Sequence, residues 1–273
     1  VLLQVQAHRQ TPRPPRAHPR SMLVAQRLQR LSSAIVAASR SRCPFSVEKQ
    51  VRKVSSGSAA VATRVIAEAA RMRVVDFRMP SGGRSMVHHE VPTLRWEVAS
   101  DPTLPTPAPT FFDAGSAHEV VNSSSNERRE ICFELLGGRP SFDMAAVQAR
   151  EAAAQFDTLI GTGVNFENEL CRAVEIRTPP GRGEPVIIHQ HVMDYALVFV
   201  GGTKVRFWQP GPDGRPAHTH DATLEDGHGM FKEGIAERGG FDADGRPDHG
   251  WAVHGLTNNS ETDWLRCLQV ELK

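Results

Sequence analysis

The apolar positions of the C-terminal half fall in short runs of strand character. Tyr195 to Val200 and Thr203 to Trp208 are aromatic and β-branched, and Gly201 and Gly202 between them suit a hairpin turn. Ile131 to Leu135 and Leu268 to Leu272 read as further apolar strands after polar turns. Short strands separated by Gly, Pro and Asp-Gly turns predict an all-β sandwich or barrel. One segment breaks the pattern. Asp143 to Ile160 is alanine-rich, opens on an N-cap candidate and places Met144, Val147, Phe156, Leu159 and Ile160 as apolar residues. It predicts a helix, ended by Gly161 and Gly163. A second helical pattern lies far upstream, where Val24, Leu28, Leu31 and Ile35 recur at helical spacing with Arg27 and Arg30 between them.

The strands repeat. Arg73-Val74-Val75-Asp76-Phe77-Arg78-Met79-Pro80 matches Arg172-Ala173-Val174-Glu175-Ile176-Arg177-Thr178-Pro179 in Arg, Val, acid, apolar residue, Arg and Pro at one offset. Each copy leads through a Gly-containing turn to an apolar pair and a histidine, Met86-Val87-His88 and Ile187-Ile188-His189. The units end alike too, with His-x-x-x-Asn at His118 to Asn122 and at His254 to Asn258. Agreement at both ends indicates a tandem duplication. The units cover residues 72–136 and 171–273, joined by a linker helix within 141–165.

Charge changes the picture only at the N-terminus. The chain of 273 residues has a net charge of +1, yet residues 1–56 hold eleven Lys/Arg against Glu48 alone, a balance of +10 that leaves −9 for the rest. The folded part is mildly acidic and offers no electrostatic footprint for nucleic acid. Residues 1–21 are rich in Pro and Arg and read as upstream or disordered chain. From Met22 an Arg- and Ser-rich, acid-poor amphipathic helix follows, the pattern of an organelle transit peptide. Residues 1–60 are therefore expected to be a basic targeting segment, for the mitochondrion before the plastid or cytoplasm. No run reaches the ~18 apolar residues of a membrane span. Cys43, Cys132, Cys171 and Cys267 show no CxxC spacing and read as free thiols of an intracellular protein.

The second unit resembles a cupin. Gly183 is followed after five residues by His189-Gln190-His191, and Asp194 is followed after six by Gly201. Pro247, Gly250, His254 and Asn258 stand for the second motif block. Two residues rather than three or four separate His191 from the acid, which is Asp rather than Glu; Tyr195 stands where the wider spacing places the acid. The first unit keeps Gly115, His118 and Asn122 but has His88-His89-Glu90 in place of His-x-His and Thr93 in place of the acid. The resemblance implies two tandem cupin barrels, double-stranded β-helices of the RmlC-like jelly-roll type, joined by one α-helix. Each has room for one metal site.

Neutral imidazoles and a carboxylate suit one divalent transition metal, Fe, Mn, Zn, Ni or Cu. Strand alternation sends His189 and His191 to one face. With His254 and Asp194 they form the expected ligand set, and His88, Glu90 and His118 form its vestige in the first unit. Tyr195 and Arg206 are candidates for contacting substrate, Arg206 if its face of the strand turns inward. The long stretch from Gln209 to Gly250, with His218-Thr219-His220, is a candidate lid or second metal site. The leading expectation is a metal-dependent enzyme for a small polar or carboxylated metabolite, oxygenase-type before isomerase or decarboxylase. Its rival is a non-catalytic cupin that binds or stores a small ligand. A third expectation is that function lies where the units associate, within the chain or as a homodimer.

Overall fold

The computed structural model describes residues 61–137, 144–154, 157–158, 161, 163–181, 187–211, 215–232 and 253–273. The targeting segment expected over 1–60 and the motif residues Gly183, Pro247 and Gly250 lie outside the described residues, as does the end of the predicted lid.

Among the described residues, seven strands precede the helix: β1 (Ala62–Glu68), β2 (Met72–Met79), β3 (Arg84–His88), β4 (Thr93–Glu97), β5 (Thr110–Phe112), β6 (Ala117–Val121) and β7 (Arg128–Leu135). Helix α1 spans Met144–Ala153. Nine strands follow: β8 (Val164–Glu167), β9 (Cys171–Thr178), β10 (His189–Gln190), β11 (Asp194–Phe199), β12 (Thr203–Pro210), β13 (Pro216–Leu224), β14 (Gly229–Lys232), β15 (Val253–Asn258) and β16 (Leu265–Leu272). The described residues are thus all-β apart from α1, which ends at Ala153, short of the predicted end at Ile160, and is followed by a bridge between Asp157 and His189. No helix among the described residues is long and apolar enough to cross a membrane.

The strands form a five-stranded sheet, β1-β2-β7-β4-β5, with the pair β3-β6, and a second five-stranded sheet, β14-β11-β16-β9-β8, with the four strands β10-β15-β12-β13. The two halves share a register: Arg73 lies opposite Glu134 across β2 and β7, and Arg172 opposite Glu271 across β9 and β16. The two motif asparagines do one job twice. Asn122 Nδ2 donates to the carbonyls of Met79, Pro80 and Asn126, and Asn258 Nδ2 to those of Thr178, Pro179 and Asp263. Each ties the end of a strand to the turn beside it, satisfying buried carbonyls that water cannot reach.

The two five-stranded sheets share one core. Met72, Val74, Leu94, Trp96, Ile131 and Phe133 pack with Ala173, Ala196, Val198, Leu268, Val270 and Leu272. A separate cluster fills the C-terminal half behind its five-stranded sheet, with Tyr195, Leu197, Phe199, Val205, Phe207, Leu265 and Cys267. Strand β11 therefore buries both faces, which is why Tyr195 to Val200 has no polar alternation. It is also not the arm of a hairpin. β11 pairs with β14 and β16, and β12 with β13 and β15. Gly201, at φ +85°, turns the chain from one sheet to the other, its amide held by Asp226 at 2.8 Å.

Candidate metal centre

Strands β10 and β15 bring the two motif blocks together by placing His189 directly opposite His254. His191 follows two residues on. The three ring centroids lie 4.5 to 5.1 Å apart. One nitrogen from each ring falls within 4.8 Å of the other two, and all three residues are buried. Gly183 and Gly250 are not needed to see this; the strand register alone converges the rings.

The imidazoles are held as neutral ligands. His189 Nδ1 sits 3.4 Å from the Ile187 carbonyl, and His191 Nδ1 3.4 Å from Glu271 Oε1. With Nδ1–H donating to those oxygens, each Nε2 keeps its lone pair. The Nε2 atoms of His189 and His191 are buried and have no hydrogen-bond partner among the described residues. Leaving buried polar atoms unpaired costs about 1–3 kcal/mol each, so these lone pairs point to a cation. Burial lowers the pKa of both His189 and His191 well below the ordinary value, helped at His189 by His191 and His254 and at His191 by His254 and Arg172. Three buried imidazoles in a tight cluster fit a divalent transition ion.

Glu271 is the carboxylate of this site, and the motif spacing did not point to it. It lies opposite Tyr195 across β11 and β16, so the two share a face. Tyr195 is fully buried with its ring stacked on His191, centroids 3.8 Å apart. Burial pushes the Tyr195 hydroxyl pKa up, and that of Glu271 too, the latter against the pull of Arg172. Arg172 Nε donates to Glu271 Oε2 at 2.8 Å and Gln269 Nε2 to Oε1 at 3.3 Å, while Arg172 Nη1 reaches Glu151 of α1 at 2.7 Å. A sequence signal existed: the Glu of Ile131–Leu135 and the Glu of Leu268–Leu272 occupy the same place in the repeat.

Asp194 is not brought to the histidines. It lies opposite Leu272, on the face of β11 that joins the shared core, and its carboxylate pairs with Arg71 Nη1 at 3.1 Å. The neighbour of an inward residue on a strand points outward, so Tyr195 facing His191 excludes Asp194 from the cluster. Arg206 also faces away. Val205 and Phe207 fill the interior, while Arg206 pairs with Asp221 on the exposed side at 2.8 and 2.9 Å. His218-Thr219-His220 belongs to exposed β13 rather than a lid: His218 contacts Asp221 at 2.9 Å and His220 stacks on Phe207. The described cysteines Cys132, Cys171 and Cys267 are free and buried, the first two with thiol pKa values pushed up to about 12 by burial.

In the N-terminal half the expected vestige His88, Glu90 and His118 does not assemble. His88 and Glu90 are exposed. The reason is a register offset of one residue. His118 lies opposite Val87, whereas His254 lies opposite His189, so Val87 stands in the place of His189 and His89 in that of His191. His89 Nε2 and His118 Nδ1 are 3.3 Å apart, and Arg95 Nη1 is 3.3 Å from His118 Nε2. Arg95 forms a buried ion pair with Glu130. By strand register these two occupy the positions of Leu197 and Cys267. A guanidinium beside the histidines repels a cation, so this half keeps two of three histidines and sets the Arg95 guanidinium against one of them. A cavity of about 270 Å³ borders Arg95, Phe112, His118, Arg128 and Glu130.

No family model matches the chain. No curated protein matches it. Cupin-domain proteins are among the solved structures it resembles. A cupin domain from Bordetella pertussis is 24% identical over 44% of this chain and 98% of its own, with a TM-score of 0.28. AerE from Microcystis aeruginosa is 10% identical, covering 82% and 98%, with a TM-score of 0.46. An oxalate decarboxylase from Lactobacillus farciminis, solved as a formate complex, is 11% identical, covering 82% and 83%, with a TM-score of 0.47. At these scores the likeness adds nothing to what the strands and histidines establish.

The charge pair has a measurable consequence. Burial, then Arg95 and His118, lowers the pKa of His89 to about 4. A histidine depressed in the folded state binds fewer protons than when unfolded, so stability is complete above about 6.5 and declines as pH falls toward 4. Urea midpoints measured from pH 7 to 4 should fall less steeply in His89→Gln than in the parent. Parallel curves would refute a neutral, desolvated His89.

Proposed function

We propose that this chain is a two-barrel cupin, with barrels over 72–136 and 171–273 joined through 141–165, whose C-terminal barrel is a metal-dependent enzyme of oxygenase type. The observation that supports it most is the pair of buried, unpartnered Nε2 atoms of His189 and His191 beside His254. When bound, a divalent ion supplies Lewis acidity toward an oxygen ligand or a means of activating O₂. The chain's own residues do the rest. His189, His191 and His254 hold the ion. Glu271 keeps a proton on His191 Nδ1, and Tyr195 packs the ring in place. Because all three ligands are neutral and Glu271 is matched by Arg172, the charge of the ion stays uncompensated. That favours a carboxylated or otherwise oxygen-rich small metabolite.

A specific observation supports the rival reading, a non-catalytic cupin that binds a small ligand: the N-terminal half sets the Arg95 guanidinium against His118. Metal analysis of the full chain, followed by an O₂-consumption screen over small carboxylates, separates the two. About one equivalent of transition metal with substrate-dependent O₂ uptake supports the enzyme. Metal without turnover on any substrate favours the binding protein, and no metal at all sinks the metal reading. Residues 1–60 are proposed as a mitochondrial targeting segment, which import of a reporter fused to them would test.

A further inference from the structure

An Arg–Glu pair stands at matching strand positions in both halves, but only the C-terminal one adjoins the histidines. Arg73 and Glu134 form the same ion pair at the matching strand positions of the N-terminal half. There it is partly open to water, with side chains 37% and 23% exposed, and no histidine reaches it; at Arg172 and Glu271 the figures are 5% and 2%. The contrast matters because a half-exposed pair contributes little, while a buried carboxylate with three donors around it is held in one orientation. Arg172 takes one oxygen of Glu271, Gln269 the other, and the remaining acceptor capacity of Oε1 faces His191 Nδ1. Arg172 is anchored in turn by Glu151 of α1. A chain of polar contacts thus runs from the helix to the candidate metal centre, through β9 and β16, two strands that neither motif block includes.

We propose that Glu271 is the positioning residue of the metal centre: it accepts the proton-bearing Nδ1 of His191 and so fixes Nε2 as the atom offered to the ion. The proposal rests on the metal reading above. Glu271 acts through His191 and not as a fourth ligand. Its carboxylate lies at Nδ1, the nitrogen turned from the cluster, and only the three histidines form the mutually close donor group among the described residues. Such carboxylate–histidine–metal arrangements fix the ring and raise ligand basicity, and losing the carboxylate weakens metal affinity about 10- to 100-fold.

The test is Co(II) binding to the full chain by equilibrium dialysis and visible absorption, in the parent, Glu271→Gln, Glu271→Asp and Glu134→Gln. Glu271→Gln removes the charge and leaves Arg172 with Glu151 as its remaining acid. Glu271→Asp keeps the charge and the Arg172 pair but withdraws the carboxylate from His191, so it reports even if the Gln variant does not fold. Both should bind about 10- to 100-fold more weakly than the parent, with the Co(II) band positions kept, while Glu134→Gln binds as the parent does. Parental affinity in the folded Glu271 variants overturns the proposal and leaves the pair a structural pin. A shifted Co(II) spectrum indicating a lost ligand overturns it in favour of direct ligation. Absence of Co(II) from the parent itself overturns the metal reading, and this inference with it.

Discussion

Trp96→Ala should destabilise the folded chain by about 3–5 kcal/mol, the cost of emptying a fully buried aromatic site. Trp96 is wholly buried in the layer between the two five-stranded sheets, and its Nε1 donates to the Pro107 carbonyl at 2.9 Å. Deletion therefore opens a cavity and orphans a carbonyl at once. The neighbours cannot collapse cheaply, because that layer includes main-chain-paired strands from both halves: Leu94, Ile131 and Phe133 on one side, Ala196, Val198 and Val270 on the other. Urea denaturation followed by circular dichroism would read the loss. The site itself should be spared, since Tyr195 and Glu271 face the opposite side of β11 and β16 from Ala196 and Leu272. Metal stoichiometry under folding conditions should match the parent. A loss below about 1 kcal/mol would contradict a shared core.

Part of this is legible in the amino-acid sequence. The duplication, the all-β class and the convergence of His189, His191 and His254 follow from short motifs, because strand alternation makes His-x-His a statement about one face. What sequence could not settle was register. The unit match of His88 with His189 is off by one, and a slip of one residue sends every side chain to the other face; that alone moved His88 outside and His89 in. The same rule separated Asp194 from Tyr195. Glu271 escaped because it lies 80 residues from His191 and depends on a cross-strand partner, not on spacing. The Gly201-Gly202 hairpin failed for a related reason: a pair of glycines permits a tight turn equally within a sheet or between two sheets.

The sharpest disagreement between motif and geometry concerns Asp194, and a pair of variants decides it. His254→Ala should weaken metal binding by on the order of 10²–10³-fold. A divalent site worth about 10 kcal/mol divides among three ligands at roughly 3 kcal/mol each, and His254 has no substitute among the described residues of the cluster. Asp194→Asn should leave metal affinity within about threefold, because its carboxylate is committed to Arg71 on the far face of β11. Its effect should appear in stability instead, at about 1–3 kcal/mol, as a largely buried ion pair loses one member and Arg71 keeps only its bond to the Lys273 carbonyl. Competition titration with a chromophoric chelator measures the first quantity and urea unfolding of the metal-free chain the second. If Asp194→Asn strips the metal as His254→Ala does, the acid of the motif is a ligand after all and the outward face assigned to Asp194 is wrong. If affinity separates the two variants while stability falls in Asp194→Asn, the motif's acid has become a link between the halves, and Glu271 is the acid left at the metal centre.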